Sequence, residues 1–182
     1  MLVKRPDIKL VVGASKIKYD GWILTEIDFL NILKDEDWQY ALKKNTVSAI
    51  LAEHVWEHLY EKDGLLGAKN CFQYLKPGGH MRVAVPDGFH PDKEYIEYVR
   101  PGGHGAGADD HKVLYNYKSF GKLFEDAGFT VKFLEYFDEN GKFHYQEWSP
   151  DDGMIVRSKR YDDRNADGTL RYTSLIVDAV KK

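Results

Sequence analysis

The sequence predicts an α/β chain built on a mostly parallel sheet with a reversed strand pair near its C-terminal end. Two stretches carry that prediction. Between residues 47 and 86, an apolar run (Val47 to Leu51) leads to an amphipathic stretch (Leu65, Leu66, Ala68, Cys71, Phe72, Leu75). A Lys76-Pro77-Gly78-Gly79 stop and a second apolar run (Arg82 to Pro86) follow, completing a strand–helix–strand unit. Such a unit closes right-handed into a parallel sheet. After residue 138, the segments Phe143 to Trp148, Met154 to Val156 and Arg171 to Val180 are separated by Pro150-Asp151-Asp152-Gly153 and Asn165-Ala166-Asp167-Gly168, the turn chemistry of antiparallel strands.

The remaining elements follow in order. Ile8 to Val12 reads as a first strand running into Gly13-Ala14-Ser15, and Trp22 to Ile27 as a second strand opening after Asp20-Gly21. Only Lys16 to Gly21 lie between them, whereas a parallel crossover takes about a dozen residues, so the first crossover helix is expected to be reduced or absent. A short helix is expected around Trp38 to Leu42, followed by a turn at Lys43-Lys44-Asn45. Past Pro86-Asp87 a helix is expected near Lys93 to Val99, then a glycine-rich loop from Pro101 to His111 that suits a substrate-covering lid. A helix capped by Ser119 and carrying Phe120, Leu123, Phe124 and Ala127 stops at Gly128 and feeds a strand from Phe129 to Phe137.

Composition narrows the class. At 182 residues, with no repeat or linker, the chain is expected to form one domain, 1–182. The net charge of −3 gives no global reason to bind nucleic acid, and Arg157-Ser158-Lys159-Arg160 reads as an exposed charged turn. No apolar run is long enough to span a bilayer, and Met1 to Asp7 lacks the apolar region of a secretory signal. Cys71 stands alone and can form no internal disulfide, which fits a cytoplasmic setting.

One segment supports two chemistries. His54-Val55-Trp56-Glu57-His58 has the HxxEH form of the inverted zinc proteases, where two His one helical turn apart bind metal and the Glu acts as base. The apolar run before it places His54 at a strand end instead, so no metal site is expected there. His90, His104 and His111 with Asp87, Asp109 and Asp110 are suitable ligand types, but none of their spacings is that of a known metal site.

The whole segment, Ala52-Glu53-His54-Val55-Trp56-Glu57-His58-Leu59 leading to Tyr74-Leu75-Lys76-Pro77-Gly78-Gly79 and the Arg82-Val83-Ala84-Val85-Pro86-Asp87 strand, resembles the fourth and fifth strands of class I S-adenosylmethionine-dependent methyltransferases, in particular a small bacterial branch of that superfamily. The resemblance implies a Rossmann-like methyltransferase sheet, S-adenosylmethionine as cofactor and methyl transfer to a small-molecule or saccharide acceptor. It implies that Gly13, Ala14 and Ser15 form the turn against the cofactor's methionine part and that Glu26 accepts from the ribose hydroxyls. Asp28 competes for that role, since strand alternation puts both carboxylates on one face. Asn31 and Ile32 fall where the family contacts adenine after its third strand, though a helix-capping role fits Asn31 equally. Glu53 and His54 lie at the cofactor edge. His54 and His111 are the expected catalytic bases, a His being suited to deprotonate an oxygen or nitrogen acceptor. Asp87, His90, His111 and Tyr115 are expected on the acceptor side. A methyltransferase-like domain that binds a ligand without turnover is the alternative, with a zinc hydrolase behind it.

Overall fold

The computed structural model describes residues 7–15 and 19–182; residues 1–6 and Lys16 to Lys18 lie outside them. The elements are β1 (Ile8–Val12), β2 (Ile23–Thr25), α1 (Asp35–Ala41), β3 (Val47–Glu53), α2 (Glu61–Tyr74), β4 (Leu75–Val85), α3 (Lys93–Val99), α4 (Tyr117–Asp126), β5 (Thr130–Phe137), β6 (Phe143–Tyr145) and β7 (Leu175–Val180). The strands join in one sheet of order β2-β1-β3-β4-β7-β5-β6. The first four run parallel. β7 inserts antiparallel between β4 and β5, and β6 pairs antiparallel on the outer side of β5.

Period-two alternation assigns each side chain to one of two cores. Leu10 and Val12 of β1, Ile50 and Ala52 of β3, Met81 and Val83 of β4, and Val177 and Ala179 of β7 share the first. Trp38, Cys71, Phe120 and Phe124 from α1, α2 and α4 cover that face. Trp38 stacks on Tyr74 with ring centroids 4.9 Å apart, tying α1 to the end of α2. Val11, Leu51, Ala84 and Ile176 point the other way, and there the cover contains no α-helix, only two single 3₁₀ turns, Pro150–Asp152 and Asp163–Asn165. Trp148 and Ile155, from the connection between β6 and β7, lie over them with Tyr19 and Trp22 at the margin.

A buried arginine fastens this cover. Arg82, on the second face of β4, is 1% exposed and makes a bidentate pair with Asp178 of β7, Nε to Oδ1 at 2.7 Å and Nη2 to Oδ2 at 2.8 Å. Its Nη1 donates to the carbonyls of Ser149 (2.7 Å) and Gly153 (2.6 Å), and Trp148 lies against the guanidinium. Glu135, fully buried on β5, accepts from Trp148 Nε1 at 2.9 Å, from the Lys159 amide at 2.8 Å and from the Thr173 hydroxyl. A segment whose own backbone bonds are local turns is thus held to the sheet by side chains of the strands beneath it.

Residues 13–22 join two parallel neighbours with no helix among the described residues, so the reduced first crossover is present as expected. Three expectations change. No further strand lies between β2 and Asn31: the amides of Phe29 and Leu30 both donate to the Glu26 carbonyl, and Asn31 Oδ1 takes the Leu33 amide, so turns replace the third strand that the resemblance implies and β2 is the sheet edge. Met154 to Val156 form no strand, because the amide of Val156 is spent on the Glu53 carboxylate, and β7 begins at Leu175 rather than Arg171. The cap of α4 is Asn116, which accepts from the Lys118 and Ser119 amides while Ser119 Oγ takes the Asn116 amide, a reciprocal capping box.

Candidate functional site

The C-terminal ends of β1, β3 and β4 open onto a cavity of about 910 Å³. Gly13 and Ser15 line it from the turn after β1, Glu53 and His54 from the end of β3, and Pro86 from the end of β4. Glu57 and His58 enter from a single 3₁₀ turn, Trp56–His58, and His111 from the glycine-rich loop. The far wall comes from the connection between β6 and β7, through Met154, Val156, Arg157, Arg164 and Tyr172. Crevices at strand C-termini are where open α/β sheets hold ligands.

The backbone is forced at the rim. Ser15 (φ 48°) and His54 (φ 56°) both take the left-handed conformation that side chains disfavour. At Gly13 (φ 61°) a Cβ would stand 2.7 Å from Val55 Cγ2, so any other residue would strain the backbone and displace Val55. Both strained residues are over-determined by their partners. The Ser15 amide donates to Glu26 Oε1, and the Ala14 amide to the Thr25 carbonyl at 3.1 Å. The His54 amide donates to the Ala84 carbonyl at 2.9 Å.

Both ring nitrogens of His54 are engaged. Ser174 spends its hydroxyl proton on the Arg157 carbonyl (2.7 Å), so at 3.0 Å the His54 Nε2–H is the donor to Ser174 Oγ. Nδ1 lies 2.7 Å from Oε1 of Glu57, a carboxylate only 1% exposed. Burial pushes the Glu57 carboxyl up, but the charge and hydrogen bond of His54, then its own backbone amide and, most weakly, the charge of His58 outweigh it and leave the group below the ordinary range. Neither Glu57 oxygen has a well-directed hydrogen bond among the described residues. Close by, His111 Nδ1 donates to the Val99 carbonyl at 2.7 Å, and His58 Nδ1 lies 3.2 Å from Asp110 Oδ2. The two rings meet edge-on with centroids 4.8 Å apart.

Of the residues singled out in the sequence, Gly13, Ser15, Glu53, His54 and His111 share this cavity, with Ala14 buried behind the turn. The Glu53 carboxylate accepts the amides of Val156 (3.0 Å) and Arg157 (2.7 Å), fastening the far wall to β3. The others do not line the cavity. Glu26 is exposed beyond the Ser15 turn, and its competitor Asp28 is exposed as well. Asn31 makes its own turn, and Ile32 is 7% exposed in the helical-side core, where its carbonyl accepts from Asn70 Nδ2 at 2.8 Å. Asp87, fully buried, accepts the amides of Phe89 (2.9 Å) and Phe137 (2.7 Å); desolvation raises its pKa to about 6. His90 stacks on Tyr95 at 4.0 Å, and burial lowers its pKa. Tyr115 packs on Phe120 in the first core.

Sequence reasoning missed Tyr19, Arg157, Arg164 and Tyr172 as cavity residues. Arg157 lies in the stretch read as an exposed turn, and no local pattern reveals that the turn borders a distant strand end. The HxxEH letters did mark Glu57 and His58, but the backbone reverses at His54 rather than continuing as a helix, so His54 and His58 are not a helical pair.

Comparison with known proteins bears on the fold alone. No protein-family model matches the chain, and no curated protein matches it. Solved structures do. An S-adenosylmethionine-dependent methyltransferase from Thermotoga maritima superposes with a TM-score of 0.56 at 14% identity, covering 96% of this chain and 82% of that one. One from Archaeoglobus fulgidus gives 0.53 at 13% identity, covering 98% and 86%. Phosphoethanolamine N-methyltransferase 2 from Haemonchus contortus, solved with S-adenosyl-L-methionine, gives 0.51 at 12% identity, covering 97% of this chain and 49% of that one. With its reversed β7 between β4 and β5 and its cavity at the strand ends, the chain has the fold of the class I S-adenosylmethionine-dependent methyltransferases.

Proposed function

We propose that the chain works as one domain over 1–182, an S-adenosylmethionine-dependent methyltransferase for a small polar acceptor such as a small metabolite or a saccharide. The observation that carries this reading is the cavity at the ends of β1, β3 and β4, bounded by the strained Gly13–Ser15 turn, in a fold whose solved relatives are methyltransferases. Its volume suits a nucleoside-sized cofactor and part of an acceptor. The cofactor supplies an electrophilic methyl group when bound, and the protein orients a nucleophile in line with it.

The chain's own residues divide that work. Gly13, Ala14 and Ser15 present backbone to the cofactor, and Glu26, at the end of the edge strand β2, is the carboxylate for its ribose, in preference to Asp28. Asn31 and Ile32, expected at the adenine end, stay outside the cavity, Asn31 in its own turn and Ile32 in the helical-side core. Glu53 and His54 fix the floor, His54 being a positioning residue because its ring is held at both nitrogens. Arg157 lines the cavity with no side-chain hydrogen bond of its own among the described residues and suits a carboxylate on either ligand. His111, whose Nδ1–H is committed to Val99, keeps a free Nε2 to take the acceptor's proton. Asp87, His90 and Tyr115 support the acceptor side from behind the wall. A lone, buried Cys71 fits a cytoplasmic setting.

A second reading, ligand binding without turnover, draws on one observation: Glu26 already accepts the Ser15 amide, with no helix among the described residues after β1 to frame a cofactor's carboxylate. Isothermal titration of S-adenosylmethionine and its demethylated product into the wild type and Glu26→Ala tests the cofactor. Micromolar affinity that falls in the variant is expected; no heat up to millimolar cofactor sinks the methyltransferase reading and leaves ligand binding without turnover as the better account. Turnover with candidate acceptors then separates catalysis from binding.

A further inference from the structure

Three side chains at the cavity floor are arranged as ligands waiting for a cation. One donor atom from each of Glu57, His58 and His111 lies within 4.8 Å of the other two. They come from different parts of the chain, the 3₁₀ turn after β3 and the end of the glycine-rich loop.

The tautomers are fixed in the sense a metal requires. The Val99 carbonyl can only accept, so His111 carries its proton on Nδ1, 2.7 Å away, and leaves Nε2 as a lone pair. His58 faces an Asp110 carboxylate oxygen through Nδ1 at 3.2 Å, so its Nε2 is likewise the free nitrogen. A carbonyl on one imidazole and a carboxylate on the other are the outer partners that metal-bound histidines characteristically have. Neither Nε2 has a hydrogen-bond partner among the described residues.

Glu57 supplies the independent sign. It is 1% exposed, and His54 Nδ1 at 2.7 Å from Oε1 is the one side chain that meets it among the described residues, so Oε2 has no side-chain donor. The other buried acids among the described residues behave differently: Glu53, Asp87, Glu135 and Asp162 each accept two or more N–H or O–H groups. A buried carboxylate without such bonds is costly. His54 Nδ1 stands against Oε1 alone, leaving the second oxygen without a counter-charge in contact. Space is available above the cluster, where Gly105, Ala106 and Ala108 line the cavity and Gly107 would place even a Cβ no nearer than 3.8 Å to His58 Cε1.

We propose that Glu57, His58 and His111 form a three-ligand site for a divalent first-row transition ion, zinc(II) being the ion that two imidazoles and one carboxylate fit best, with its remaining position open to the cavity. Two nitrogen donors disfavour calcium and magnesium, which take oxygen. The set differs from the HxxEH reading, since His54 is not a ligand but the neighbour that orients Glu57. The site stands on its own geometry and does not depend on methyl transfer. If both hold, the ion would face the acceptor, an oxygen of which would take the open position and release its proton to solvent through the cavity, with His111 serving as ligand rather than base.

The test uses the full chain, stripped with chelator and titrated with cobalt(II) while its visible absorption is followed, then with zinc(II) in competition against a chromophoric chelator. One equivalent of each ion is expected to bind, with cobalt giving the bands of a low-coordinate site. His58→Ala and His111→Ala are expected to weaken binding by more than about 100-fold, because losing an outer partner alone costs about 10- to 100-fold. His144→Ala, removing a histidine paired with Asp138 elsewhere, is expected to bind as the wild type does. Glu57→Gln completes the set; because Glu57 is buried, the two histidine variants decide the matter if that protein misfolds, their own folding being checked by circular dichroism without metal. Absence of cobalt bands and zinc binding at millimolar ion, or wild-type affinity in His58→Ala and His111→Ala, overturns the site. Failure to bind S-adenosylmethionine in the separate titration leaves this result untouched.

Discussion

Single buried charges do unusual work in this chain, and Arg82 does the most. It is 1% exposed, its guanidinium is shared between Asp178 and the carbonyls of Ser149 and Gly153, and its removal strands a carboxylate that is itself only 13% exposed. Arg82→Met should lower unfolding stability in urea by about 3–5 kcal/mol, the cost of breaking a buried pair; a loss under about 1 kcal/mol would mean that the 149–153 turn is held by apolar packing alone. Asp87 gives a pH signature. Its carboxyl sits at about 6 in the fold against 3.8 for the ordinary group, because burial disfavours the charge. The folded state therefore binds the extra proton between those values. Stability contributed by the neutral form is complete below 3.8, falls as pH rises to about 6 and stays lost above it. The urea midpoint of the wild type should drop relative to that of Asp87→Asn between pH 4 and 6, and curves that run parallel would refute the assignment.

At the scale of elements, local signals were legible in proportion to how local their causes are. β1 and α3 have the bounds that apolar runs and flanking turn residues announce, and the strand–helix–strand unit from Val47 to Val85 is where it was expected. The α4 cap was placed three residues late, at Ser119, because the reciprocal partner of Asn116 looks like a cap itself. Asn116→Ala should cost about 1 kcal/mol and lower the melting temperature by about 2–4 °C in a chain of this size, read by circular dichroism. An unchanged melting point would show that Ser119 takes over. The connection between β6 and β7 contains Met154 to Val156, which reads as a strand in the sequence and is none in the structure. Its turn residues are real, but its backbone groups are met by Glu53, Glu135 and Asn165, whose side chain alone bonds the carbonyls of Ser158, Lys159 and Tyr172 and the amides of Arg171 and Tyr172. Partnerships across more than a hundred residues, such as Glu53 with Arg157, leave no periodicity to find. The candidate site was half legible for the same reason: the strand-end residues were visible as motif, while the wall opposite them was not.

On the scale of the whole molecule, the sheet is dressed asymmetrically, with α1, α2 and α4 on one face and a pinned segment without an α-helix on the other. That segment is also the far wall of the cavity, through Met154, Val156, Arg157, Arg164 and Tyr172. The roof of one core and the wall of the binding space are the same length of chain. Occupancy and folding are consequently linked: a ligand that braces the wall also tightens the cover over Leu51 and Ile176, and by mass action its binding free energy is added to that of the folded state. The converse constrains how such a protein can change. Altering the wall to admit a different ligand disturbs the lining of a core, so selectivity here cannot drift independently of stability.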